Sequence, residues 1–291
     1  MKLGLQIVRF DWPGSPASIR TQLADIAGVA EDAGFSSLWV MDHFFQIHWL
    51  GAADEPMLEA YTTLGFLAAV TRRIHLGVLV AGIIYRHPGI LIKTATTLDV
   101  LSGGRSYFGI GAAWYEREAR GLGVPFPPLR ERFEQLEETL QVLHQMWSGG
   151  ISPYRGTHLH LAEPLSRPAP LARPHPAILI GGGGEKKTLR LVAKYGDACN
   201  LFAGSGTRGI RHKLDVLHRH CDELGRDYDA IERTALGHLG RGNQAVPELI
   251  AACRSLAQAG IQHYIVSLME PLDFGLLERI GREVVPAVAD L

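Results

Sequence analysis

Short apolar runs alternate with stretches whose apolar residues recur every three or four positions, and the alternation continues along nearly the whole chain. A bounded apolar run of roughly 4–8 residues suits a buried strand, whereas the three-to-four spacing gathers apolar side chains on one face of a helix. The pattern predicts strands over 3–8, 37–41, 74–80, 105–110, 177–180, 197–201, 231–239 and 262–267. Between them it predicts helices, the first carrying Ile19, Leu23, Ile26, Ala27 and Ala30 on one face. Further helices are expected over 57–70, 88–101, 186–194, 210–224, 247–259 and 272–288, and a long one holds Phe133, Leu136, Leu140, Leu143 and Trp147 in register. Pro88 suits a helix start, where its missing N–H costs nothing.

Three junctions resemble one another: Ala33-Gly34 before Leu38, Tyr195-Gly196 before Ala198, and Ala259-Gly260 before Tyr264. In each, a glycine is expected to end a helix cheaply in left-handed backbone just before a buried strand. Strands alternating with helices imply parallel pairing through right-handed crossovers. Eight such units suggest closure into a single (β/α)8 TIM barrel spanning 1–291, and 291 residues suffice for one. An open doubly wound sheet is the alternative, because periodicity does not show closure. The rhythm breaks between helix 4 and strand 5, where residues 148–176 hold six prolines and the alternating His158-Leu159-His160-Leu161. This stretch is expected to be an insertion with a small hairpin at most, and a candidate lid.

Charge and cysteine usage narrow the function classes. The formal net charge is −1, without the basic excess a nucleic-acid partner calls for. The densest basic run, 208–219, is also amphipathic and so is expected to be a solvated helix face. Three widely spaced cysteines without a C-x-x-C pair fit reduced thiols in a cytoplasmic protein. No run approaches a membrane span of roughly 20 apolar residues, and the N-terminus lacks the apolar core of a signal peptide. Thirteen histidines raise the question of a metal, yet no compact His/Cys/carboxylate cluster or helical i, i+4 histidine pair appears, so none is expected.

In a barrel the chemistry lies at the C-terminal ends of the strands and in the loops that follow. Four segments qualify. After strand two, Asp42 could accept a hydrogen bond from a bound heterocycle and His43 could relay a proton. In strand three, Val78, Leu79 and Val80 would offer a flat apolar wall, although an ordinary buried strand explains them equally. After strand four, Gly111 and Ala112 leave backbone close to a ligand, but Trp114 stands where a dinucleotide fingerprint needs a glycine or alanine. After strand five, Gly181, Gly182, Gly183 and Gly184 run into Glu185 and a helix, where exposed N–H groups suit a phosphate. Trp12, Trp49 and Trp114 are candidates for an apolar substrate pocket.

The segments 38–44, 76–88, 98–105, 109–118 and 123–128, with the glycine run into 188–191 and 196–198, together resemble the luciferase-like monooxygenase superfamily. More narrowly, they resemble its branch of oxidoreductases dependent on the deazaflavin coenzyme F-420. The resemblance covers nearly the whole chain. It implies a ring system at the barrel mouth beside Asp42 and His43, and a non-prolyl cis peptide at Val78-Leu79 under the ring. It also implies a phosphate held by Gly183 and Gly184 with Glu185. Sugar-phosphate dehydrogenases of the branch carry an acidic residue just after the strand-four glycines; here that position is Trp114, and Glu116 and Glu118 need not reach the ring. His43 is therefore the expected proton donor. A deazaflavin performs hydride transfer only. The alternatives are a monooxygenase using flavin mononucleotide (FMN) with a separate reductase, and a barrel that binds a ligand without turnover. A small-molecule substrate and a homodimer are further implications of the resemblance.

Overall fold

The computed structural model describes residues 1–240, 242–269 and 273–291. Eight strands form the centre: β1 Lys2–Ile7, β2 Ser37–Val40, β3 His75–Val78, β4 Ser106–Gly111, β5 Ala177–Gly181, β6 Ala198–Phe202, β7 Glu232–His238 and β8 His263–Leu268. Every neighbouring pair is parallel, and β8 returns to pair with β1, Lys2 opposite His263 and Ile7 opposite Leu268. The sheet is thus closed, and the barrel replaces the open-sheet alternative. β3 stops at Val78, and pairing to β4 resumes at Ala81–Gly82, opposite Ile110 and Gly111. Residues 79 and 80 therefore bulge out of the ladder.

The outer ring contains α1 Ile19–Asp32, α2 Ala60–Val70, α3 Pro88–Ser102, α4 Glu116–Gly121, α5 Leu129–Trp147, α6 Thr188–Tyr195, α7 Gly206–Leu224 and α8 Ala245–Gln258. α2 starts later than its apolar pattern suggested because the Glu59 side chain caps it, accepting from the N–H groups of Tyr61 and Thr62. The helix expected over 272–288 is α9 Phe274–Arg279, a π turn Ile280–Val284 and a last turn Val285–Val288; Leu272 lies outside the described residues. Of the three similar junctions, Gly34 and Gly260 take left-handed backbone at φ +84° and +101°. Gly196 is extended at φ −85°; there a Cβ would crowd the Val192 carbonyl oxygen at 3.1 Å.

Two packed layers follow from this geometry. Residues such as Leu5, Leu38, Leu64 and Leu91 fill the space between strands and helices, while Trp39, Leu179, Ala198 and Ile265 fill the barrel interior. Gly77 has no side chain because the Trp39 ring occupies that space. Below Trp39 the floor is polar. Trp39 Nε1 donates to Ser37 Oγ at 2.6 Å, and Ser37 Oγ meets His263 Nε2 at 2.8 Å. Tyr107 and Lys2 donate to Glu232 at 2.9 and 2.8 Å. Burial pushes the Glu232 carboxyl up, but its His263 and Lys2 neighbours outweigh that and hold it at about 2. Cys199, Cys221 and Cys253 are all buried.

The insertion does form a hairpin, Tyr154–Arg155 against His160–Leu161. No residue of 148–176 lines the cavity at the mouth. A helix-to-strand connection leaves the barrel on the face away from that mouth, and this one is tied to the outer helices. Glu138 of α5 accepts from the N–H groups of Thr157, His158 and Leu159 at 2.6, 3.0 and 2.8 Å. Asp99 of α3 accepts from those of Leu171 and Ala172 at 2.6 and 3.0 Å.

Candidate functional site

A cavity of about 740 Å³ opens at the C-terminal ends of the strands, within the size range of small-molecule and cofactor sites. Asp42, His43, Leu79, Val80, Gly111, Ala112, Gly181 and Gly182 all line it. Val78, Gly183, Gly184 and Glu185 do not. Val78 is fully buried in the outer core. The cis peptide is Leu79-Val80, one residue beyond the expected position, because the continuous apolar run gives no mark of where the ladder breaks. A Cβ on Gly111 or on Gly181 would meet a Val80 methyl at 2.9 Å. The two glycines on β4 and β5 thus make room for the bulge and leave bare backbone around it.

His43 is not alone. Its Nδ1 lies 2.6 Å from Oε1 of Glu118, which is fully buried at the start of α4. The same carboxylate accepts from the Tyr85 hydroxyl and from the N–H groups of Phe44 and Phe45, the last two at 2.8 and 3.2 Å. Burial pushes the Glu118 carboxyl up, yet His43, Tyr85 and the Phe44 N–H together hold it below the ordinary carboxylate range. An ionised Glu118 accepts the Nδ1 proton, so the neutral imidazole keeps Nε2 as its free acceptor. Glu118 was passed over in sequence as too far along the chain. The available signal was its helical face: Glu116 pairs outward with Arg120 at 2.7 Å, whereas Gly121, three residues beyond Glu118, abuts the Phe45 ring.

Asp42 braces the site. Its two oxygens take a forked pair from Arg86 at 2.8 and 2.9 Å, and Oδ2 also accepts the Gly82 N–H at 3.0 Å. Asp42 is thus braced by the protein while it also lines the cavity. Arg86 also pairs with Glu59, and Asp42 and Glu59 raise its pKa despite burial, which alone would lower it. Just after β4, Ala113 adopts φ +58°, a left-handed value costly for any residue but glycine. The buried Arg132 guanidinium holds that turn by donating to the carbonyls of Ala112 and Ala113. Trp114 and Trp49 line the cavity beyond the turn, but Trp12 does not: it packs in the core against Phe10.

At the glycine run, Gly182 has φ +117° and donates to the Asn200 carbonyl at 3.0 Å. Gly183 and Gly184 lead away from the cavity to the N-terminus of α6. The Glu185 carboxylate turns outward to Lys213 Nζ at 2.5 Å and His212 Nε2 at 3.1 Å, and the Lys213 hydrogen bond holds it below its ordinary pKa. Lys213, from α7, also flanks Gly183. Lys187 and Arg190, nearer to the glycine run in sequence, lie by Phe133 and Glu223. Among the described residues, no three His, Cys, Asp or Glu side chains converge as a metal site, and no helix is long and apolar enough to cross a membrane.

This geometry has known counterparts. A family described as luciferase-like monooxygenase matches residues 1–270. An F-420-dependent glucose-6-phosphate dehydrogenase of Kineococcus radiotolerans is 32% identical over 217 residues, 73% of this chain and 62% of that protein. A pyrimidine monooxygenase of Allorhizobium ampelinum is 28% identical over 179 residues, 60% of this chain and 48% of that protein. The chain thus matches less than two thirds of the length of these curated relatives. Among solved structures, an F-420-dependent secondary alcohol dehydrogenase in complex with an F-420-acetone adduct superposes with TM-score 0.83, 19% identity and 99% of both chains covered. The monooxygenase RslO1 of Streptomyces bottropensis does so with TM-score 0.77, 19% identity and 99% of both chains covered. At these identities the two structures establish the shared barrel.

Proposed function

Because the chain belongs to the luciferase-like monooxygenase family, we propose that it is an oxidoreductase using the deazaflavin coenzyme F-420 for hydride transfer to or from a small organic substrate. The observation that carries this reading is the His43–Glu118 pair set in the wall of a cavity whose opposite features are an apolar bulge and a glycine turn. The residues fit the group. The Leu79-Val80 bulge and the bare backbone of Gly111 and Gly181 suit the face of a flat ring system. The glycine turn ahead of α6, with Lys213 beside it, suits a phosphate. Relatives named for F-420-dependent activity support the choice of cofactor.

When bound, the deazaflavin supplies a ring carbon that gives or takes a hydride. The chain supplies the rest. His43 Nε2 holds or releases the proton that accompanies the hydride, and Glu118 fixes the imidazole's tautomer and orientation. Arg86 keeps Asp42 and its loop in place, and Arg132 keeps the Ala112-Ala113 turn in place. A second reading, an FMN-dependent monooxygenase served by a separate reductase, is favoured by the likeness to a pyrimidine monooxygenase.

Fluorescence titration of the apoprotein with the deazaflavin coenzyme and with FMN separates the two. Micromolar deazaflavin binding, much tighter than that of FMN and lost in Gly183→Asp, is the expected result, since the new carboxylate repels a phosphate. Tight FMN binding with weak deazaflavin binding would transfer the site to the monooxygenase reading. Binding of neither overturns both. Sedimentation of the same protein tests the proposed homodimer.

A further inference from the structure

Two indoles edge the cavity without a part in holding the proposed cofactor. Trp49, from the loop after β2, and Trp114, from the loop after β4, stack with centroids 4.9 Å apart and planes 21° apart, and Tyr115 also stacks on Trp114 at 5.0 Å and 23°, so the more open of the two indoles is Trp49. Trp49 and Trp114 are nevertheless 56% and 46% exposed, whereas Trp12, Trp39 and Trp147 are buried. Indole area is normally put to use in a core or against a ligand, and large apolar side chains grouped in water mark a binding surface. Here the surface is concave: both rings line the cavity, and the Trp114 ring stands edge-on to His43 at 5.3 Å. A molecule lying against the pair would therefore have one end beside His43.

The charge of the wall restricts which molecule that is. Among the described residues lining the cavity there is no lysine or arginine, and the one carboxylate, Asp42, is already neutralised by Arg86. A phosphorylated or carboxylated substrate would give up its hydration at this wall without gaining a cation in return. An uncharged flat molecule gives up little and gains the indole contact.

Resting on the hydride-transfer reading of the same cavity, we propose that the substrate is an uncharged molecule with a flat aromatic or conjugated face, which packs against Trp114 and Trp49 and hydrogen-bonds through one oxygen to His43 Nε2. Trp114 is then the residue that sets specificity, and it separates this chain's substrate from the sugar phosphate named for its relative.

The test is equilibrium binding measured by isothermal titration calorimetry, whose heat signal does not depend on the indoles being replaced. Acetophenone and glucose 6-phosphate are titrated into apoprotein and into deazaflavin-loaded protein, for the unaltered chain and for Trp114→Ala, Trp114→Phe and Trp49→Ala. Acetophenone should bind and glucose 6-phosphate should not. Trp114→Ala should weaken acetophenone about tenfold, the size of one stacking contact, while Trp114→Phe keeps most of the affinity. Deazaflavin binding should stay within about twofold in every variant, which also shows that the variants fold. Preference for glucose 6-phosphate, or acetophenone binding indifferent to both tryptophans, overturns the inference even where deazaflavin binds. Failure of deazaflavin alone, with acetophenone binding still dependent on Trp114, overturns the cofactor reading and leaves the flat-ligand site standing. Dissociation of an oligomer in the tryptophan variants, with acetophenone binding unchanged, would make the pair a subunit contact and also overturn the proposal.

Discussion

At the mouth of the barrel His43 gives Nδ1 to Glu118 at 2.6 Å; at the floor the His263 Nδ1 lies 3.4 Å from Glu232. Both imidazoles face a carboxylate that burial would raise and its neighbours hold down, but only His43 Nδ1 hydrogen-bonds to it, His263 Nδ1 being buried without a hydrogen-bond partner among the described residues. They differ in the other nitrogen as well. His263 Nε2 is engaged by Ser37, which in turn receives the Trp39 indole N–H, so the floor pair ends in a closed chain of side chains. Among the described residues no side chain of this kind engages His43 Nε2, and the ring sits in the cavity wall. The same two residue types therefore make a structural plug at one end and, under the proposed function, a proton-carrying group at the other. What separates them is whether the second nitrogen is used within the fold.

That contrast is open to direct attack. The largest expected effect is on turnover: His43→Ala should lower kcat by about 10²–10⁴-fold, as loss of a general acid–base does, with little change in melting temperature. Glu118→Gln should lower kcat less and shift its pH profile, because the imidazole loses the charge that fixes its tautomer. At the floor the balance reverses. Trp39→Ala should cost about 3–5 kcal/mol in denaturant unfolding, since the barrel interior cannot close over the lost ring. Acid unfolding gives a smaller effect. Glu232 is held at about 2 in the folded chain. Its depressed pKa stabilises the fold above the ordinary glutamate value of about 4.3, and that contribution, about 3 kcal/mol, is lost as pH falls toward ~2. Glu232→Gln should flatten the acid limb; an unchanged acid limb would show that the floor pair carries no such linkage. The smallest change is expected from Glu138→Ala, which frees three hairpin N–H groups on the barrel's outer side. It should cost about 1 kcal/mol of stability and leave kcat unaltered, since the hairpin does not line the cavity.

Much of the fold was legible because eight apolar strand runs and their helices are local patterns, and parallel pairing follows from their order, whereas closure is shown only by the pairing of β8 with β1. The site was legible where one strand end carries it: Asp42 with His43, Gly111 with Ala112, and Gly181 with Gly182 fall on the cavity together. It was illegible where elements distant in sequence meet. Glu118 reaches back 75 residues to His43, Arg132 reaches 20 residues to the Ala112 carbonyl, and Lys213 reaches 28 residues to Glu185. Asp42 meets Arg86 from 44 residues away.

The three sealed cysteines bear on how such motions and ligands can be observed. Burial pushes the Cys199 thiol to about 12 and Cys253 to about 11, and raises Cys221 as well. Little thiolate forms at neutral pH on any of them, so the native chain is close to inert toward maleimides and iodoacetamides. A single engineered cysteine at an exposed rim position such as Phe202 would consequently take one dye per molecule, giving an optical reporter at the cavity mouth without removal of any native residue from the core.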